Sequence, residues 1–252
     1  MIFTAVFVFN TKWQTFLRVE HEHYPEAAGN DLCHAVDPLI RYEQYVRTIA
    51  ARHGSLVQEF RSTDAVFQPL TSGSANKVLT EGEMRLLTHR GNLSSCIALE
   101  IETFYLISKI LLDRIARFLE HYFGKVRDVS VHSHDKLTKN HTRFMLGHAV
   151  SVPKGFDAIL LDLKRRIADF RDYQIAHEQG LHTIRGSTWI PGGEPRIIMA
   201  PAHPSTRRSG TVQAESEDIS VLMGEIDRYI DVVQSIVVSN RVRSRLPVKR
   251  KT

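Results

Sequence analysis

Cysteine and long apolar runs are both scarce in this sequence. Cys33 and Cys96 lie far apart and form no metal-binding or redox motif, which fits a reducing compartment. The apolar residues 1–9 lack a basic leader and are too short to span a bilayer, and no later run reaches spanning length without charges. We therefore expect a cytoplasmic protein with no membrane segment, in which residues 1–9 form a strand or a packed arm.

Several signatures of common catalytic and binding classes are missing as well. Gly192 and Gly193 do not follow the strand-to-helix pattern of a phosphate-binding loop, and there is no Gly-x-Ser-x-Gly elbow. Zinc-finger spacing and an aromatic RNA-binding signature are also absent. These absences argue against the nucleotide-binding, serine-hydrolase and zinc-finger classes.

What the sequence does contain is enough apolar material for a core and a modest excess of positive charge. Its 252 residues are 42% hydrophobic and 24% charged, which suits one large domain. The net charge of +5 favours anionic partners such as RNA or DNA. Much of the excess lies in residues 241–252, for which we expect a flexible, solvated tail.

Four segments have apolar residues at alternating steps of three and four, the spacing of a helix with one buried face. The first helix follows Asp-Pro at 37–38, a pair typical of a helix start. The second begins at a capping box of Thr80 and Glu83, with a break expected near 91–92, and ends at Gly124. The stripe of the first helix is Leu39, Tyr42, Val46, Ile49, His53, Leu56 and Phe60. That of the second is Ile97, Ile101, Phe104, Ser108, Leu111, Ile115, Phe118 and Tyr122.

The third predicted helix covers residues 156–179 and the fourth covers residues 216–240. Residues 64–75 and the histidine-rich residues 132–153 have the composition of loops. The stripe of the third helix is Phe156, Leu160, Leu163, Ile167 and Phe170. The stripe of the fourth is Ile219, Leu222, Ile226, Tyr229, Val233 and Ile236.

These four helices, without strand–helix alternation, predict an all-α fold in the form of an antiparallel four-helix bundle. The bundle occupies residues 37–240. An N-terminal extension (1–36) precedes it, and the basic tail (241–252) follows it. Residues 186–204, in which Gly192-Gly193 separates two apolar stretches, form either a small β-hairpin or an ordered loop.

The residues with the clearest chemical potential stand near the end of the third helix, in Phe170-Arg171-Asp172-Tyr173-Gln174-Ile175-Ala176-His177-Glu178. His177 continues the stripe of that helix, so it should face a partner helix or subunit rather than solvent. A histidine transfers protons near neutral pH, and a guanidinium stabilises negative charge on phosphate oxygens. Arg171 and His177 together suit cleavage of a phosphodiester by the ribose 2′-OH of the substrate, without a metal.

This Arg-Asp-x4-His segment on a late helix of a bundle resembles the motif of the HEPN superfamily, and especially its abortive-infection-type members. The resemblance implies a HEPN-like bundle and a metal-independent endoribonuclease that serves as a toxin or in antiviral defence. It also implies a homodimer that needs no cofactor, cleaves an RNA substrate and in some cases has an antitoxin protein as partner. Carried over, Arg171 polarises the scissile phosphate, His177 acts as general acid/base or positions the 2′-OH, and Asp172 orients one of them. The neighbours expected at the substrate are Tyr173, Gln174 and Glu178.

A non-catalytic reading of the same residues remains open. Some members of the family have the bundle without cleavage activity, so the alternative is a helical bundle that binds proteins or nucleic acids. In that case Arg171 and Asp172 form a surface ion pair and His177 is a hydrogen-bonded residue of the helix stripe.

A metal-dependent hydrolase is a third and weaker interpretation. His132, His134, His141 and His148 are numerous enough to hold a metal, but their spacing matches no strong zinc pattern, so we expect a polar loop.

Charged residues on the second predicted helix lead to two further predictions, both of ion pairs. Glu100 on this apolar helix needs a cationic partner, either Arg171 or another arginine. Lys109, Asp113 and Arg117 stand at four-residue steps, which predicts an ion ladder that faces solvent.

Overall fold

The computed structural model describes residues 10–71, 78–169, 187–188, 196–197 and 219–249. These residues form six α-helices and one short strand pair, which confirms the predicted all-α class. The helices are α1 (Lys12–Glu20), α2 (Glu26–Thr71), α3 (Glu81–Phe123), α4 (His134–Gly147), α5 (Phe156–Leu163) and α6 (Ile219–Ser239). In the described ranges, no helix combines the length and the apolar character that crossing a membrane requires.

The chain divides into two compact units, and α2 and α3 each contribute to both. In α2 the division falls between Thr48 and Ile49, and in α3 it falls between Phe104 and Tyr105. The first unit holds α1, the start of α2, the end of α3, and helices α4 to α6. The second unit holds the end of α2 and the start of α3.

Helix α1 lies within the predicted N-terminal extension, residues 1–36. Residues 1–9, the predicted strand or arm, are outside the described residues. Thr11 starts α1 through a capping box, because its Oγ1 accepts the Gln14 N–H at 3.1 Å while Gln14 Oε1 accepts the Thr11 N–H at 2.9 Å. The side chains of Trp13 and Phe16 form the buried apolar face of this helix. The spacing Thr-x-x-Gln is a helix-start signal that the sequence interpretation missed.

Helix α2 begins at Glu26, so the predicted start at Asp37-Pro38 is wrong. The reason is an earlier apolar stripe, since Ala28, Leu32 and Val36 are all buried ahead of Leu39. Pro38 inside the helix costs about 3 kcal/mol, but burial of the side chains on both sides outweighs that cost. The helix also continues to Thr71 through most of the predicted loop 64–75.

Helix α3 agrees with the sequence at both ends. Thr80 and Glu83 form the predicted capping box, with the Thr80 N–H donating to Glu83 Oε2 at 2.7 Å. The helix passes residues 91–92 without the expected break. It stops at Gly124, whose φ of +98° is a conformation that favours glycine. All eight stripe residues predicted for this helix are buried.

Helix α4 is a correction, because the sequence predicted a loop over residues 132–153. Ser133 caps the helix by accepting the Lys136 N–H at 3.3 Å. The buried side of this mostly polar helix consists of His134, Leu137, Thr138, Phe144 and Met145. Such a narrow apolar face is hard to recognise in the sequence, because the polar residues of the exposed face dominate the composition.

Helix α5 begins at the predicted residue, and α6 begins and ends close to its predicted bounds. All the predicted stripe residues of α6 are buried. Four of the five stripe residues of the third predicted helix are buried as well: Phe156, Leu160, Leu163 and Ile167. After Leu163 the helix widens into a π-helical turn, Lys164–Asp169, and residues 170–179 of the predicted helix lie outside the described part of the chain. Where the sequence allowed a hairpin, β1 (Ser187–Thr188) and β2 (Arg196–Ile197) pair antiparallel.

The basic C-terminal segment is bound to the first unit as far as residue 249, so the prediction of a flexible, solvated tail is wrong for residues 241–249. Arg241 donates to both carboxylate oxygens of Glu20, which is 1% exposed, at 2.6 and 2.8 Å. Leu246 is buried, and the Lys249 N–H donates to the carbonyl of His23 at 2.9 Å. The positive charges at 241 and 245 are therefore engaged within the fold.

Each unit has its own core. In the first, Trp13 packs edge-to-face on Phe118 with ring centroids 5.2 Å apart, and Leu111, Leu112 and Ile115 are fully buried. In the second, Arg90 lies over the ring of Phe60 at 5.1 Å and donates to the buried carboxylate of Asp64 at 2.6 Å. Glu100 is buried in the second unit, and its predicted cationic partner is the exposed Arg52, whose guanidinium lies 2.5 Å from the Glu100 carboxylate.

Candidate functional site

The residues that the sequence selects as a site fall just beyond the described end of the third predicted helix. Arg171, Asp172, Tyr173, Gln174, His177 and Glu178 lie outside the described residues, so their arrangement stays a prediction. The structure describes the residues that directly precede them. The last described residue before the motif is Asp169, two positions ahead of Arg171.

The segment directly before the motif is the π turn Lys164–Asp169. Lys164 spans this turn, since its Nζ lies 2.7 Å from Asp169 Oδ1 and 3.7 Å from Asp135 Oδ1 on α4. These two carboxylates, and Asp169 first, raise the pKa of Lys164 although burial opposes them. A π turn closes its hydrogen bonds over five residues instead of four and is frequent near functional sites.

The π turn removes the basis on which the direction of His177 was predicted. The prediction that His177 continues the stripe of Phe156 assumed an unbroken α-helix with a step of ~100° per residue. One extra residue in the π turn shifts the phase of every later position, and both Ile167 and Ala168 are buried there. The stripe therefore no longer predicts which way His177 faces.

Next to this turn lies a buried polar group that links α3 to the start of α4. Lys109 is only 7% exposed, and its Nζ lies 2.6 Å from Asp113 Oδ1. The same oxygen accepts the His134 N–H at 2.8 Å and so helps to start α4. The predicted solvent-facing ladder is therefore wrong for Lys109, and Arg117 donates instead to the His132 carbonyl at 3.1 Å.

The imidazole of His134 is enclosed in this group. It is 0% exposed, and neither ring nitrogen has a hydrogen-bond partner within the described residues. Burial, and then the positive charge of Lys109, lower the pKa of His134 to about 3. The ring is therefore neutral at physiological pH and cannot be a ready proton donor.

Tyr229 of α6 completes the enclosure of His134. Its ring lies edge-on to the imidazole with centroids 5.6 Å apart. Its hydroxyl is buried, and no described residue is hydrogen-bonded to it. Burial, followed by the negative charge of Asp113, raises the pKa of Tyr229. We refer to Lys109, Asp113, His134 and Tyr229 as the His134 cluster.

The four histidines that left a metal site open do not gather. His132 pairs with the hydroxyl of Ser130, His141 Nδ1 lies 3.1 Å from the Thr138 carbonyl, and His148 Nε2 lies 3.2 Å from the Gly124 carbonyl. Within the described ranges, no three histidine, cysteine, aspartate or glutamate side chains are placed to hold one metal ion. The structure thus gives no support to the metal-dependent hydrolase interpretation for these residues.

A second buried polar network, which was not predicted from the sequence, centres on Glu43. Its carboxylate is fully buried and accepts the N–H groups of Lys12 and Trp13 at 2.9 and 3.1 Å, which caps α1 from α2. Arg47 donates to the same carboxylate at 2.8 Å and to Asp227 of α6 at 2.5 Å. Although burial opposes it, bonding to Glu43 and Asp227 raises the pKa of Arg47. The signal for this pair was an i,i+4 glutamate and arginine on α2.

No family model, no curated protein and no solved structure matches the chain.

Proposed function

We propose that this protein is a metal-independent endoribonuclease of HEPN type. The observation that carries the proposal is the position of the motif: Arg171 comes two residues after a helical segment whose buried stripe, from Phe156 to Ile167, matches the prediction from sequence. The all-α class of the described residues is the setting in which the resemblance expects the motif. The antiparallel four-helix bundle, the homodimer with two motifs in one cleft and the antitoxin partner belong to the same proposal.

The reaction is a transesterification within the RNA strand. The ribose 2′-oxygen forms a bond to phosphorus while the bond from phosphorus to the 5′-oxygen breaks. A proton leaves the 2′-OH and another reaches the departing 5′-oxygen, which gives a 2′,3′-cyclic phosphate and a 5′-hydroxyl. His177 serves one of these proton transfers or positions the 2′-OH, Arg171 stabilises the charge on the phosphate, and Asp172 orients one of the two.

The test is cleavage of RNA in the presence of EDTA. The purified protein is incubated with total RNA beside His177→Ala, Arg171→Ala and a control, Arg165→Ala, which removes an exposed arginine of the π turn. We expect the parent and the control to cleave and leave 2′,3′-cyclic phosphate ends, while the two motif variants lose at least ~100-fold of the rate, the scale of a lost acid/base or charge-stabilising group. A folded, dimeric parent that leaves RNA intact contradicts the proposal.

A second candidate function is a non-catalytic bundle that binds proteins or nucleic acids. The exposed cations of α4, Lys136, Lys139 and Arg143, support it, because cations on a helix surface bind nucleic acid without any cleavage chemistry. In this alternative RNA or a protein binds to the parent without cleavage. The same assay separates the two functions, since binding with intact RNA supports the second and cleavage supports the first.

A further inference from the structure

The outward side of α4 has three exposed cations. Lys136, Lys139 and Arg143 are exposed and stand at steps of three and four, so they share one face of the helix. Asp135 is the one acidic residue in the 14-residue sequence of α4, and it pairs with Lys139 at 2.8 Å. Among the described residues, Lys136 and Arg143 have no ion-pair partner. We refer to Lys136, Lys139 and Arg143 as the α4 basic face.

Positive charge is concentrated around this helix. Residues 124–169 contain nine lysines and arginines against five aspartates, a net charge of +4. The C-terminal residues 241–252 contribute six further cations and no acid, and the remainder of the chain is therefore net −5. Arg241 and Arg245 face the carboxylates of Glu20 and Asp31, whereas Lys136 and Arg143 of the α4 basic face are exposed and have no ion-pair partner among the described residues.

The α4 basic face begins beside the π turn Lys164–Asp169. Asp135 precedes Lys136 and lies 3.7 Å from Lys164, the residue that spans the π turn before the motif. From Lys136 to Arg143 the helix extends about 10 Å at ~1.5 Å per residue. The cations therefore form a row that starts beside the last described turn ahead of Arg171.

We propose that the α4 basic face binds the phosphates of the single-stranded RNA that the proposed nuclease cleaves. This inference rests on the proposed function, because it names the surface that holds that substrate. A row of exposed cations supplies the electrostatic part of single-strand binding, because each cation neutralises a backbone phosphate without reading sequence. A protein partner fits less well, because the exposed side of α4 has Leu146 as its large apolar residue and no aromatic anchor.

Binding is measured on the full chain carrying His177→Ala, so that cleavage does not alter the ligand. A fluorescent 12-nucleotide oligouridine is titrated in EDTA at several salt concentrations and followed by anisotropy. The basic-face variant combines Lys136→Gln, Lys139→Gln and Arg143→Gln, since glutamine keeps the helix propensity of lysine and arginine. The control combines Arg18→Gln, Arg41→Gln and Arg228→Gln, which remove three exposed charges from α1, α2 and α6.

We expect the basic-face variant to raise Kd about 10- to 100-fold near 0.1 M salt and to reduce the slope of log K against log salt by about 2, at ~0.7 per lost phosphate contact. Arg143→Gln alone should account for roughly a third of the slope change. The control variant should change Kd less than about threefold, as distant charges are screened. Equal weakening by both triple variants, an unchanged Kd in the basic-face variant, or no binding by the parent at low salt would overturn the inference.

The outcomes also separate this inference from the nuclease proposal. A parent that binds through the α4 basic face but leaves RNA intact contradicts the nuclease alone. A parent that cleaves RNA contradicts the role of α4 alone if the basic-face variant binds normally and the same three substitutions, made with His177 intact, leave the cleavage rate unchanged. Circular dichroism melts of the variants confirm that each one is folded before binding is compared.

Discussion

Within the first unit, Glu43 and His134 are both fully buried, but their surroundings are built in opposite ways. The Glu43 carboxylate accepts two backbone N–H groups and the guanidinium of Arg47, which itself reaches Asp227. The His134 ring has neither nitrogen bonded within the described residues. The Glu43 carboxylate therefore has its hydrogen bonds satisfied, whereas the neutral His134 ring is buried without hydrogen bonds from the described residues.

The difference separates a buried charge that stabilises the fold, Glu43, from a buried polar group that costs free energy, His134. A saturated charged network holds three helices in one arrangement, and removing one member leaves a buried charge unpaired. A buried polar group without partners costs about 1–3 kcal/mol, so replacing it with an apolar group of similar shape should cost little. The two clusters should therefore respond to mutation in opposite ways.

The largest effect is expected for Glu43→Ala. The variant removes the buried acceptor of the first two N–H groups of α1 and one of the two carboxylates that Arg47 faces, so we expect a loss of about 3–5 kcal/mol in the free energy of unfolding. Urea denaturation measures it, with Arg41→Ala on the same helix as an exposed control that should change less than about 0.5 kcal/mol. A loss below about 1 kcal/mol in Glu43→Ala would break the comparison.

Arg241→Ala extends the comparison to the C-terminal segment. Glu20 would keep its buried carboxylate but lose both guanidinium bonds, while the half-buried Arg241 site admits water. We expect a loss of about 2–3 kcal/mol by denaturation. Arg243→Ala, in the same short turn but exposed, should have almost no effect. Equal losses in the two variants would show that the Glu20 pair contributes nothing specific.

The pH dependence of stability should report His134. Its folded pKa is lowered to about 3, whereas the unfolded imidazole takes a proton below about 6.5. The unfolded state then binds more protons between these values, so stability falls as pH drops from 6.5 towards 3. Between pH 7.5 and 5.0 the parent should lose about 2 kcal/mol more than His134→Leu, at ~1.4 kcal/mol per pH unit. Parallel pH profiles would contradict a buried neutral imidazole.

The smallest effect is expected for His134→Leu at pH 7.5. Leucine fills much of the same space and needs no hydrogen bonds, so the free energy of unfolding should change by less than about 1 kcal/mol, in either direction. Chemical denaturation in the same buffer as Glu43→Ala gives the direct contrast. A loss above about 2 kcal/mol would mean that the imidazole makes stabilising contacts, and the two clusters would then be alike.

Helix faces were predictable where one apolar stripe dominates, and helix ends were predictable where a local signal marks them. The stripes of α3 and α6 are buried as predicted, and the capping box at Thr80 and the stop at Gly124 are both present. The start of α2 was missed because Asp37-Pro38 resembles a helix start although the stripe continues through it. The α4 helix was missed because its buried face is narrow.

The candidate site was predictable only as a list of residues. Arg171, Asp172 and His177 near a helix end indicate phosphate chemistry. The direction of the His177 side chain, however, was predicted on the assumption of an unbroken α-helix. The π turn Lys164–Asp169 removes that basis, and the sequence offered no glycine or proline there to announce it. The prediction of a solvent-facing ladder failed at Lys109 because helical spacing does not show whether the face it defines is covered.

The sequence by itself determined the all-α class and the buried stripes, because both follow from side-chain spacing within one helix. Only the tertiary structure decided which charges are buried and satisfied. Glu43 meets Lys12 across 31 residues, Arg47 meets Asp227 across 180, and Arg241 meets Glu20 across 221. Helical periodicity is a local property of the chain, whereas the burial of a charge depends on groups that only folding brings within hydrogen-bond distance.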